Sequence, residues 1–269
     1  MLKGYTKQEI SWMMYDWANS AHSVIIVTLL PIFFDTVAGY TADSVSSMST
    51  WGYATSIAML IVALAAPFLG VFGDIRGMRK KLFSFFMLLG VAACAGMAFT
   101  PGMDFTSGPV AAGKVASLIL VLYIVSVIGF DASAIYYDAF LTDVTTEDRM
   151  DKVSTMGYGL GYIGGSTIPL LIFLIMNLVG VPMLTCLAFV FGLTAVWWLA
   201  FSLPLLKNCE QTSGKPYEKG DVARSIKGVG TTIKEIIANK PMLIYILSYF
   251  FYIDGVHTVI SMATTYGTN

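Results

Sequence analysis

Asp16, Asn19 and Ser20 interrupt an apolar run that continues as VIIVTLLPIFF, and Asp254, His257 and Thr258 interrupt a second such run near the end of the chain. Both triplets read carboxylate, two spacers, a hydrogen-bonding side chain, then a hydroxyl, with Tyr15 and Tyr252 upstream. Positions i, i+3 and i+4 share one helix face, so each stretch makes the same polar patch. Two more acids, Asp131 and Asp138, fall on one face of a third apolar run, with Tyr136 and Tyr137 between them. A charge inside hydrocarbon is costly, so each of these groups needs a structural partner or a task. The apolar runs carry no Lys or Arg to pair with them, which leaves a proton, a cation or the amino group of a substrate. The plainer alternative is that Asp16 bonds Asn19, Ser20 or a backbone amide and only ties helices together. For Asp138, at the shallow end of its run, that alternative is preferred. His257 can carry a proton near neutral pH or act as a simple hydrogen-bonding group.

The elements that must position these residues are membrane helices. The chain has 269 residues, 56% hydrophobic and 12% charged, with a mean hydropathy of +0.72. Soluble domains carry about 25% charged residues, so the composition points to a bilayer. A hydrocarbon core of about 30 Å needs roughly 20 apolar residues in a helix. Seven runs qualify, at 12–37, 48–73, 82–100, 115–141, 154–177, 181–203 and 241–264. The net charge of −1 offers no basic field for nucleic acid. Cys94, Cys186 and Cys209 form no CxxC pair, and no metal, cofactor or nucleophile–base spacing is present, so neither a metal site nor an enzyme is expected.

Basic residues set the expected orientation. With the N-terminus in the cytoplasm, 15 of the 16 Lys and Arg residues lie inside and only Lys114 lies outside. Thr6 and Glu9 fit a capping box, which starts the first helix there and puts Asp16 about 15 Å along its axis. Asp254 falls about 20 Å past Pro241, near mid-membrane. Between the sixth and seventh spans, Val222, Ile226, Val229, Ile233 and Ile236 recur at helical spacing among Arg224, Lys227 and Lys234. That pattern gives an amphipathic helix along the membrane surface, or a linker helix packed under the bundle. Six spans, a long polar loop and a seventh span that echoes the first is the layout of a two-halved, repeat-built membrane protein.

Between the second and third spans stands GVFGDIRGMRKK, with Gly70, Asp74, Gly77, Arg79 and Lys80. This turn resembles the signature of the major facilitator superfamily, although Ile75 stands where the family usually has a basic residue. The resemblance implies that Asp74 caps a helix and, with Arg79, joins a charge relay that latches a gate. The run GYGLGYIGGS brings Gly157, Gly161, Gly164 and Gly165 to spacings that let helices approach closely. It loosely resembles the superfamily's antiporter motif, but Tyr162 stands in place of a proline, and packing is the expected role. YDWANSA, DIRGMRKK, YYDAFLTDV, GYGLGYIGG and FFYIDGVHTVISMATTYGT together resemble the vacuolar-effluxer branch, the autophagy-related amino-acid effluxers and their bacterial relatives.

That resemblance implies a major facilitator fold of twelve helices, of which this chain would hold the first seven. The expected domains are a six-helix half at 1–203, a cytoplasmic linker at 204–240, and the first span of a second half at 241–269. The implied activity is secondary transport of small solutes, amino acids among them, by alternating access, proton-coupled or facilitative. Asp16, Asn19, Asp131, Asp254 and His257 would line the substrate and proton pathway. Gly70, Asp74, Gly77, Arg79 and Lys80 would form the gating loop. The expected partners are the solute, protons, the lipid bilayer and a missing C-terminal half or a second copy. The expected location is the cell's inner membrane, or the vacuolar membrane in a fungus. Two other readings remain: a non-transporting truncated fragment, and a seven-helix receptor-like protein. The second is disfavoured by the orientation and by the lack of a lysine in the seventh span for a retinal Schiff base.

Overall fold

A computed structural model describes residues 3–41, 44–214, 216 and 221–267. The described residues form an all-α polytopic membrane protein. Among the described residues six helical segments are long and apolar enough to cross a membrane: Lys7–Ala38, Ser46–Gly73, Arg79–Gly102, Pro109–Val144, Glu147–Leu178 and Met183–Asn208. The first consists of α1 (Lys7–Thr28) and α2 (Leu30–Ala38), broken where Pro31 enters the first turn of α2 and lacks an N–H to continue the ladder. The others contain α3 (Ser44–Gly73), α4 (Arg79–Met97), α5 (Pro109–Val144), α6 (Met150–Leu160) with α7 (Thr167–Leu178), and α8 (Met183–Asn208). The expected amphipathic helix is present as α9 (Asp221–Ala238), and α10 (Lys240–Gly267) follows it. Lys227–Ala238 meets Lys240–Val256 at 100°, so that bent pair supplies a seventh candidate span.

The capping box forms as the sequence suggests. Thr6 N–H donates to Glu9 Oε2 at 2.7 Å and Glu9 N–H to Thr6 Oγ1 at 3.2 Å. At the start of α10, Asn239 Oδ1 accepts the Met242 N–H at 3.3 Å, with Pro241 tolerated in the first turn.

In lipid the tails are as apolar as leucine, so helices associate through close packing and interhelical hydrogen bonds. Glycine supplies the close approaches. A Cβ on Gly129 of α5 would lie 2.5 Å from the Gly90 amide nitrogen of α4. The expected packing role of the glycine run is also met. A Cβ on Gly157 would lie 2.5 Å from Asp16 Oδ2, one on Gly161 2.6 Å from Ser20 Oγ, and one on Gly164 would overlap the Trp17 ring. Between α6 and α7 the chain widens into a π-helical turn, Gly161–Ser166, which faces α1. Trp12, Trp51 and Trp198 are buried, so they serve packing rather than an interface belt.

Candidate functional site

The residues singled out by chemistry fall in two places. In the middle of the bundle, α1 carries Asp16 and α5 carries Tyr137. The Tyr137 hydroxyl donates to Asp16 Oδ2 at 2.8 Å. Trp12 stacks on the Tyr137 ring at 4.3 Å and donates its Nε1–H to the Tyr137 carbonyl at 2.9 Å, which fixes the phenol's direction. Tyr15, one position before Asp16 on α1, is hydrogen-bonded to Ser133 Oγ at 2.8 Å and accepts the Trp198 Nε1–H at 3.3 Å. Asp16 therefore sits on a rigid aromatic frame, with Gly157 leaving room for its carboxylate.

Asn19 lies one turn along α1 and is buried. Asp131 lies farther along α5, half-buried, and its Oδ2 is buried without a hydrogen-bond partner. Asp138 is exposed on the following turns of α5. Asp254 is exposed on α10, and the His257 side chain lies outside the described residues. Among the described residues no ion pair includes Asp16, Asp131, Asp138 or Asp254. A cavity of about 520 Å³ lies elsewhere, beside α6, lined by Tyr5, Asp151, Lys152, Met156 and Leu160 among others.

The second place is the basic end of the bundle, where the α3–α4 turn lies. Gly77 adopts φ +79°, a conformation that favours glycine and lets the chain reverse into α4. Gly70 sits in the last turns of α3, and Lys80 follows Arg79 in the first turn of α4. The Asp74 side chain is 82% exposed and stands 3.9 Å from Arg79 Nη2. The closer partner of Arg79 is Asp143 at the end of α5, whose side chain is fully buried. Arg79 Nη1 also donates to the Ala139 carbonyl at 3.0 Å and to Ser213 Oγ at 3.2 Å.

A parallel cluster closes the start of α1. Glu9, 1% exposed, takes Arg149 in a two-pronged pair, Nε to Oε1 at 2.8 Å and Nη2 to Oε2 at 2.9 Å. Thr145 Oγ1 donates to the same carboxylate at 2.7 Å, and Arg149 Nη2 to the Gly4 carbonyl at 3.0 Å. Sequence reasoning passed over Asp143 and Arg149 as partners. The available signal was an acid at the end of the fourth span facing a basic turn, and a lone arginine opening the fifth.

Comparison with known proteins follows the same lines. The model of the family "Vacuole effluxer Atg22 like" matches residues 38–150 and 142–269. The chain is 40% identical over 277 aligned residues to an uncharacterized MFS-type transporter, YxiO, of Bacillus subtilis (strain 168), covering all of this chain and 62% of that protein. Autophagy-related protein 22-1 of Sclerotinia sclerotiorum is 27% identical over 128 residues, 42% of this chain and 21% of that one. Its namesake in Penicillium rubens is 26% identical over 125 residues, 43% of this chain and 21% of that one. The chain thus spans less than two thirds of the length of these relatives. With the family model matching most of its residues, the chain belongs to the vacuole effluxer Atg22-like family of membrane proteins.

Proposed function

We propose that this chain works in secondary transport of small solutes, with amino acids as the first class to test, by alternating access. The observation that carries the reading is Asp16: a carboxylate within a membrane span, held by one tyrosine hydroxyl and by no cation among the described residues. Such a group is free to take a proton or the ammonium of a substrate, which is the default meaning of an intramembrane acid. Asn19 and Asp131 extend the polar path along α1 and α5, and Asp254 with His257 would complete it from α10. The relatives' names, an MFS-type transporter and autophagy-related proteins of an effluxer family, support the same class.

In this reading residues 1–203 are one rigid half, 204–240 a cytoplasmic linker, and 241–269 the first helix of a second half, supplied by further chain or by a second copy. Asp74 and Arg79 belong to a gate at the cytoplasmic face of the cell membrane. Nothing observed favours the receptor-like alternative over this family. The test is solute flux in vesicles holding the reconstituted protein, with an imposed pH gradient and a panel of amino acids. Flux of one or more that collapses in Asp16→Asn supports the reading, whereas flux unaffected by that change removes Asp16 from the pathway. A reporter fused to the N-terminus checks the orientation.

A further inference from the structure

The segment that leaves α8 does not hang free; it crosses the basic end of the bundle and touches four helices. Asn208 Nδ2 donates to Ser11 Oγ on α1 at 2.9 Å, and the Cys209 thiol sits 3.6 Å from the Gln8 carbonyl. Gln211 then serves two helices at once. Its Oε1 accepts the N–H groups of Gly77 at 2.8 Å and Arg79 at 3.3 Å, and its Nε2 donates to the Gly73 carbonyl at 3.0 Å. Helix termini leave backbone groups without partners, and α4 has no cap from its own preceding residue. One side chain from a distant segment therefore closes the end of α3 and the start of α4.

Thr212 and Ser213 turn to the buried acid of α5. Asp143 Oδ1 accepts the Thr212 N–H at 3.0 Å, its hydroxyl at 2.9 Å, the Ser213 N–H at 2.9 Å and its hydroxyl at 2.8 Å. The Ser213 hydroxyl also accepts from Arg79, so it bridges both members of the ion pair. Gly214 adopts φ +120°, and a Cβ there would stand 2.9 Å from the Asp74 carbonyl and 2.8 Å from Gln211 Nε2.

We propose that Gln211, Thr212, Ser213 and Gly214 form a strap that holds the α3–α4 turn and Asp143 in register, so that any movement of the linker releases both together. The inference rests on contacts at the end of the bundle and does not depend on transport. It makes these four residues positioning residues for Arg79 and Asp143.

Cys209 provides the readout, since it is buried two residues before the strap, against the Gln8 carbonyl, and burial pushes its thiol up to about 12, where it reacts slowly at neutral pH. The full chain is purified in detergent, treated with a maleimide, and labelling of each cysteine is followed by peptide mass spectrometry. Wild type is expected to label Cys209 as slowly as Cys94, which is buried within the bundle. A Gln211→Ala, Thr212→Ala, Ser213→Ala triple variant loses several hydrogen bonds and is expected to label Cys209 at least about tenfold faster, with Cys94 unchanged. Gly214→Ala alone is expected to give a smaller acceleration, and Thr212→Ser, which keeps the hydroxyl, to keep the wild-type rate. Rapid labelling of Cys209 in wild type, an unchanged rate in the triple variant, or equal acceleration at Cys94 would each overturn the strap.

Discussion

The middle of the bundle and its basic end treat the same chemical group in opposite ways. At the end, Glu9 and Asp143 are buried, paired with Arg149 and Arg79, and surrounded by further donors from Thr145, Thr6, Thr212 and Ser213. In the middle, Asp16 accepts one phenolic hydrogen, and Asp131 keeps a buried oxygen with no partner. Glu9 and Asp143 are fully engaged in holding helices together. Those in the middle retain unused bonding capacity at a cost that the fold must offset elsewhere. The difference separates groups whose bonding capacity is taken up by helix-to-helix contacts from groups whose capacity is left over.

The largest effect on stability is expected where the engaged end is broken. Asp143→Ala leaves Arg79 buried without its closer ion partner and with only the exposed Asp74 at 3.9 Å, which costs about 3–5 kcal/mol. Thermal unfolding in detergent should show a clear loss, and a variant as stable as wild type would mean the pair is not structural. Glu9→Ala leaves the half-exposed Arg149 and the α1 cap unsatisfied, so a smaller loss of about 1.5–3 kcal/mol is expected in the same measurement. Next comes Gly157→Ala, whose methyl would press on Asp16 and Trp12; overpacking of this kind costs about 1–3 kcal/mol. That change also moves Asp16 off its tyrosine, so ligand binding should weaken together with stability. Tyr137→Phe removes one hydrogen bond and keeps the Trp12 stack, with an expected stability loss of only about 0.5–1.5 kcal/mol. A loss as large as that of Asp143→Ala would erase the contrast between the two regions.

Much of this arrangement is legible in the sequence, because hydropathy alone locates the six spans found among the described residues. The apolar run at 82–100 became Arg79–Gly102, and 115–141 became Pro109–Val144. The extra residues are helix ends outside the most apolar stretch, and those ends carry Arg79 at the start of α4 and Asp143 near the end of α5. Thr6 and Glu9 announced the start of α1 because capping is local chemistry between residues three apart. The break near Pro31 has a local signal, a proline without an N–H inside an apolar run, which hydropathy does not register, whereas the π-helical turn at Gly161–Ser166 lies against α1 and no local pattern gave it. The partnership of Arg79 with Asp143 spans 64 residues, and that of Gln211 with Gly77 spans 134, so only the folded chain reveals them. At the centre, the spacing of Asp131 and Asp138 drew attention to both acids. Which residue of α5 reaches Asp16 depends on the register of α5 against α1, and the structure gives that place to Tyr137, which lies between the two acids in the sequence.

The central claim is that Asp16 is a carboxylate kept available inside the membrane. Its most direct test is solute flux driven by a pH gradient in vesicles, with wild type and Asp16→Asn reconstituted at equal amounts of folded protein. The expected result is loss of gradient-driven flux, on the order of tenfold or more, as befits removal of a group that interacts with the moving species, with thermal stability within about 1 kcal/mol of wild type. Gradient-driven flux that survives undiminished in Asp16→Asn would contradict it.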